Sequence, residues 1–155
     1  MKSRKPLATI VGASCCALLL SITPAFEGVR NEPYQDVTGV WTVCAGNTHD
    51  VEQRRYSDVE CAQQLQDQLS DHAQDVLACT PNLKDYPGPL VAAVDFAYNV
   101  GGSKYCASMM AKKFSAGDIA GGCAEFPKWI RAGGKVLPGL VKRRKAEQDI
   151  CLGTQ

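Results

Sequence analysis

The first five residues carry three basic side chains, and no charge follows until Glu27. Beyond that uncharged run the hydrophobic pattern changes period. Residues 34–44 suit a short β-hairpin, with Asp36-Val-Thr-Gly39 as its turn and Val-Trp-Thr-Val-Cys as a strand. Alternation sets Val40, Thr42 and Cys44 on one face of that strand and Trp41 and Val43 on the other. Ser57-Asp-Val-Glu60 has the form of a capping box, in which each side chain satisfies the other residue's free backbone amide. It opens a helix in which Val59, Ala62, Leu65, Leu69, Ala73 and Val76 keep helical spacing until Cys79-Thr-Pro81. Further helices are predicted over residues 89–100, stopped by Gly101-Gly102, and over residues 103–116, stopped by Gly117. A fourth starts at Asp118 and passes Cys123 and Phe126. The loop at residues 131–138 leads into a last helix through Val141, Arg144 and Ile150. One small sheet near the start of a helical body is an α+β, mainly helical arrangement.

The uncharged run, residues 6–26, can be read in two ways. As a cleavable signal peptide it would be cut after Ala25, which leaves Glu27 second from a frayed end. As an uncleaved anchor its 21 residues would span about 31 Å of helix, roughly the hydrocarbon thickness of a bilayer. Eleven of the 21 are Ala, Gly, Ser, Thr or Pro, and only eight are Leu, Ile, Phe or Val. Insertion is then marginal, so such a segment can enter a membrane and leave it again. The division expected is a signal-anchor segment, residues 1–26, and a catalytic domain, residues 27–155. Lys2, Arg4 and Lys5 would keep the N-terminus cytoplasmic and the body outside.

Composition narrows the classes. Lys and Arg total 17 against 16 Asp and Glu; without the three N-terminal cations the body holds 14 against 16. A near-neutral body excludes a general electrostatic case for nucleic acid. His49 and His72 stand alone, without metal-ligand spacing, and no cofactor motif occurs. Of eight cysteines, Cys44, Cys61, Cys79, Cys106, Cys123 and Cys151 are 17 to 28 residues apart, unlike zinc or redox pairs. Wide, even spacing predicts a disulfide framework and an oxidising compartment. The elements bring Cys44 near Cys61 and Cys123 near Cys151, leaving Cys79 with Cys106. Eight cysteines allow 105 complete pairings, and Cys15 or Cys16 with Cys44 is an alternative, a redox latch.

Glu27 and Asp36 are the candidate reacting pair. A helix running on from the uncharged segment would end near Glu27, while Asp36 lies at the hairpin turn, facing back across a short loop. Two carboxyls across a cleft are what glycoside hydrolysis needs, one to protonate the leaving oxygen and one to act on water. Glu32 is a rival, but it precedes Pro33 in an extended stretch.

With Thr42 the pair gives Glu-x8-Asp-x5-Thr, which resembles the catalytic signature of phage-type lysozymes, glycoside hydrolase family 24. Gly39-Val-Trp-Thr-Val-Cys-Ala-Gly46, Phe96-Ala-Tyr-Asn-Val-Gly101, Trp129-Ile-Arg-Ala-Gly-Gly134 and Gly139-Leu-Val-Lys-Arg-Arg-Lys-Ala-Glu147 extend the likeness to the C-terminus. The resemblance implies a lysozyme-like fold with a hairpin lobe and a helical lobe. It implies Glu27 as general acid, Asp36 and Thr42 positioning water, and peptidoglycan cleaved between N-acetylmuramic acid and N-acetylglucosamine. With the weakly apolar start it is similar to endolysins with signal-anchor-release segments, held in the inner membrane and then freed into the periplasm, here as a monomer. Phe96, Tyr98 and Asn99 are expected to line the cleft, with a buried aromatic core as the alternative for Phe96 and Tyr98. Asn47 stands where many family members carry His. Arg144 is expected either at the wall polymer or in a buried ion pair. Two other readings are carried: a lytic transglycosylase on the same substrate, and a non-enzymatic membrane or secreted disulfide-rich binding protein.

Overall fold

The computed structural model describes residues 4–154. Helices α1 (Leu7–Val11) and α2 (Ala13–Glu27) come first, and Gly12 at φ +89° turns the chain between them. The single anchor helix expected over residues 6–26 is therefore two, and among the described residues no helix is long and apolar enough to cross a membrane. The segment has instead joined the body. Leu7, Val11, Cys15, Cys16 and Leu19 enter the main core, with α1 against α3 and α2 against α4.

Strands β1 (Arg30–Gln35) and β2 (Trp41–Cys44) form the expected hairpin, with Tyr34 opposite Thr42. Burial in β2 does not alternate. Thr42, Val43 and Cys44 are all buried, because Cys44 turns to φ +59° and binds Cys61 on the next helix. Val43, Cys44, Tyr56 and Cys61 make a second, smaller core under the hairpin.

Helix α3 (Asp58–Cys79) opens with the full capping box, Ser57 Oγ accepting from Glu60 N at 3.1 Å and Glu60 Oε2 accepting from Ser57 N at 2.7 Å. Val59 is exposed, contrary to its place in the periodic series, because Cys61 takes the inward position of that turn. After a short 3-10 turn (Pro81–Asp85), α4 (Pro87–Val100) runs through the centre, every residue from Pro89 to Ala97 buried. The helix predicted over residues 103–116 breaks into α5 (Gly102–Ala107) and α6 (Met109–Ser115). Ser108 leaves helical geometry and accepts from Ala111 N at 3.1 Å, capping α6. Helix α7 (Ile119–Cys123) is shorter than expected and gives way to a 3-10 turn, Phe126–Lys128. The loop ahead of the last helix holds a small hairpin, β3 (Arg131–Ala132) with β4 (Lys135–Val136), reversed at Gly133-Gly134. Helix α8 (Pro138–Leu152) then packs along α4.

The bridges are Cys44–Cys61, Cys79–Cys106 and Cys123–Cys151, each stabilising by roughly 2–4 kcal/mol in a small domain. Cys15 and Cys16 are unpaired and buried in α2, so the latch to Cys44 is absent here.

Candidate active site

Glu27 is the last residue of α2, which Gly28 ends at φ +71°. Its Oε1 accepts from Arg143 Nη1 at 2.5 Å. Arg143 comes from α8 and is itself gripped from below. Its Nε and Nη2 donate to Asp95 Oδ2 and Oδ1 on α4, both at 3.0 Å, and Thr23 Oγ1 donates to the same Oδ1 at 2.7 Å. Three helices are thus joined through one buried carboxylate directly beneath Glu27. Burial opposes the charge on Asp95, but the Arg143 guanidinium, with the Thr23 hydroxyl, outweighs it and holds this carboxyl below its ordinary range.

Glu147, also fully buried, shows the opposite balance. Arg143 Nε and Arg144 Nε approach it at 3.6 and 3.4 Å, yet neither of its oxygens has a hydrogen-bond partner among the described residues. Contacts that long do not offset the loss of water, so burial, with Asp95 nearby, raises its carboxyl well above the ordinary value.

Two clefts meet at Glu27. One, of about 420 Å³, lies between the loop after β2 (Gly46, Thr48, His49) and α3 (Gln68, His72), with Tyr98 at its back. The other, of about 750 Å³, runs between Phe26 and the start of α8. Asn99 borders both, and also a third, of about 630 Å³, that continues to Trp129 and Arg131. Gly46, at φ +86°, passes so close that a Cβ there would stand 3.3 Å from Glu27 Oε2, so a side chain at this position crowds the carboxyl. Tyr98 donates to Ala45 O at 2.5 Å, fixing that loop to α4, and burial together with the nearby Glu27 raises its phenol.

The expected site residues are divided by the fold. Glu27, Tyr98 and Asn99 come together. Phe96 does not reach the cleft: it is fully buried, edge-on to Tyr105, Phe126 and Trp129. Asp36 and Thr42 share the hairpin lobe, and the side chains just named at Glu27's clefts do not include them. Asp36 Oδ1 is engaged in its own turn, accepting from Thr38 Oγ1 at 2.6 Å, Thr38 N at 2.8 Å and Val40 N at 3.0 Å. The Thr38 hydroxyl first, then the Val40 amide, lowers the pKa of this exposed carboxyl. Thr42 is buried, its hydroxyl donating to Val40 O at 3.0 Å. Glu32 sits apart in an exposed ion pair with Arg55. Asn47 is tied to α3 by a 2.6 Å bond from Gln68 Nε2 to its Oδ1, an uncharged link between the two lobes. Among the described residues no group of three or more His, Cys, Asp or Glu side chains could hold a metal ion.

Sequence reasoning missed Arg143, Asp95, Thr23 and Glu147. A signal existed for one of them: Asp95 is the sole acid in the apolar run Leu90-Val-Ala-Ala-Val-Asp-Phe-Ala, and a charge so placed must be paired.

The family model described as phage lysozyme matches residues 24–147. The SAR-endolysin of Enterobacteria phage PA-2 is 36% identical, over 98% of this chain and 96% of its own. The SAR-endolysin of Bacteriophage PS119 is 38% identical, over 91% and 87%. Among solved structures, the active form of the phage P1 endolysin Lyz superposes with a TM-score of 0.79 at 20% identity, covering 99% of this chain and 97% of that one. The secreted inactive form of the same endolysin gives 0.62 at 16% identity, over 91% and 95%.

Proposed function

The chain belongs to the phage lysozyme family, and from that premise we propose that it is an endolysin that hydrolyses the β-1,4 bond between N-acetylmuramic acid and N-acetylglucosamine in peptidoglycan. The observation that carries this reading is the state of Glu27. Oε1 is held by Arg143, while Oε2 lies beside Gly46 at the meeting of two clefts and has no hydrogen-bond partner among the described residues. A proton on Oε2 passes to the glycosidic oxygen as the bond to the anomeric carbon breaks. Water then adds to that carbon from the opposite face, its proton taken by Asp36, with Thr42 as its neighbour on the hairpin. Asp36 Oδ1 is committed to the turn, so Oδ2 is the oxygen for this step. The product is a reducing sugar of inverted configuration.

Glu27→Gln keeps the shape of the side chain but cannot donate that proton, so lysis of permeabilised Gram-negative cells should fall by roughly 10²–10⁴-fold with the fold intact. A folded Glu27→Gln protein that lyses at the parental rate would end this assignment. Product ends carrying 1,6-anhydro sugars instead of reducing sugars would make the enzyme a lytic transglycosylase and remove the water step.

Residues 6–26 are proposed to reside first in the host inner membrane, with the body in the periplasm, and to leave it for the packed arrangement of α1 and α2. The relatives named SAR-endolysins and the excess of small residues support this. Ser14 and Ala17 are exposed in the packed form, so leucine there adds apolar length without crowding the body. The Ser14→Leu/Ala17→Leu protein should accumulate in membranes without lysis; parental lysis from the membrane fraction would refute control by release.

A further inference from the structure

Asn99 stands where three clefts adjoin, and its amide is not free to turn. Arg144 Nη2 donates to Asn99 Oδ1. A guanidinium has donors only, so the amide must present its oxygen to Arg144 and its NH₂ group the other way. No hydrogen-bond acceptor for Nδ2 occurs among the described residues. We infer that Arg144 is a positioning residue for substrate recognition: it fixes Asn99 so that Nδ2 donates into the cleft, to the acetamido carbonyl of an N-acetylated sugar.

Arg144 is suited to that task because it is itself immobile. Its side chain is fully buried, with the guanidinium 4.8 Å from the centroid of the Phe96 ring and Nε 3.4 Å from Glu147 Oε2. Phe96 thus serves recognition from behind, as the platform under the arginine. The surroundings of Asn99 select the acceptor. Val100, Leu137 and Leu140 line two of the clefts beside it, together with Lys104, Arg131 and Lys142, so the donor has apolar wall on one part of its surroundings. An acetamido group matches that frame, its carbonyl taking the N–H and its methyl the leucines; a bare hydroxyl uses only the first.

This inference rests on the glycan-hydrolase reading above, and the test separates the two. KM and kcat are measured for the parent and for Asn99→Asp on soluble wall glycan and on the same glycan after de-N-acetylation. Aspartate leaves Arg144 an acceptor, so the melting temperature should hold. It replaces the cleft-facing donor with an acceptor, so KM on the acetylated glycan should rise about tenfold with kcat little changed. On the de-N-acetylated glycan, whose free ammonium groups the new carboxylate can attract, the variant's KM should not rise. A parental KM on acetylated glycan overturns the donor, and an equal loss on both glycans overturns the acetamido partner. Arg144→Met should raise KM in the Asn99 protein but not in Asn99→Asp. The same rise in both backgrounds makes Arg144 merely structural. Arg144→Gln, which can accept as well as donate and so no longer dictates the amide's orientation, takes its place if the methionine variant does not fold. A parent that cleaves neither glycan removes the hydrolase reading itself, an outcome distinct from all of these.

Discussion

Glu27 closes a helix whose last turn is fixed from beneath by Thr23, Asp95 and Arg143, on three separate helices, whereas Asp36 is held by Thr38 and Val40, two and four residues away. The first arrangement exists only when α2, α4 and α8 are packed; the second needs nothing but its own turn. Local geometry can therefore persist in the hairpin whether or not Glu27 is in place. Placement matters on this scale, since an error of about 1 Å can lower a rate 10²-fold.

The contrast is most directly broken at Arg143. Arg143→Met leaves Asp95 buried without its cation and should lower unfolding free energy by about 3–5 kcal/mol, measured by urea denaturation. A loss below 1 kcal/mol would mean that the three-helix junction is not what holds Glu27. Glu147 comes next and bears a sign. Its carboxyl is raised, so its contribution is fully present below the unfolded value of 4.5 and is lost as pH rises through the folded value. Each unit of that rise corresponds to about 1.4 kcal/mol. Glu147→Gln should accordingly flatten the decline in parental stability above pH 4.5, and an unchanged pH profile would contradict the neutral carboxyl.

Thr23→Val keeps the volume but removes a buried donor to a charged group, with an expected loss of about 2 kcal/mol in thermal unfolding. The smallest effect is expected at Asp36. Its carboxyl is lowered and exposed, so its contribution is present above the ordinary value of 3.8 and disappears as pH falls below it. Asp36→Asn should remove that acid-side slope, and because the lost contribution is the one present at neutral pH, stability there should fall slightly while stability below the carboxyl's range stays parental. A large neutral-pH loss would show that the turn, too, depends on distant packing.

What the sequence disclosed follows the same division. The hairpin turn and the capping box at Ser57 are written in adjacent residues, and both formed where the spacing predicts. The pairing of Cys44 with Cys61 followed from two neighbouring elements. Periodicity failed where one residue overrode it: Ser108 split a helix by capping the next, and Cys61 displaced Val59 from the inward face. Glu27 was identifiable by its motif, but its partner Arg143 lay 116 residues away, inside a basic run that resembles solvated surface. Long-range pairing of buried charges leaves no periodic trace in one sequence; an acid inside an apolar helix, as at Asp95, is the nearest to one. For Phe96 the sequence left cleft and buried core open, and the helix turned it inward, onto the core.

The order of the elements along the chain has a consequence for timing. Helix α2 precedes its bed in the chain: it packs on α4 and α3, and Arg143 of α8, which ends only at Leu152, holds its last residue, Glu27. All three covalent cross-links lie between Cys44 and Cys151, so the receiving body can be finished and locked while the first 26 residues are still elsewhere. Under the proposed release the cross-linked body can thus be complete before α2 docks against it, and Glu27 arrives with that helix.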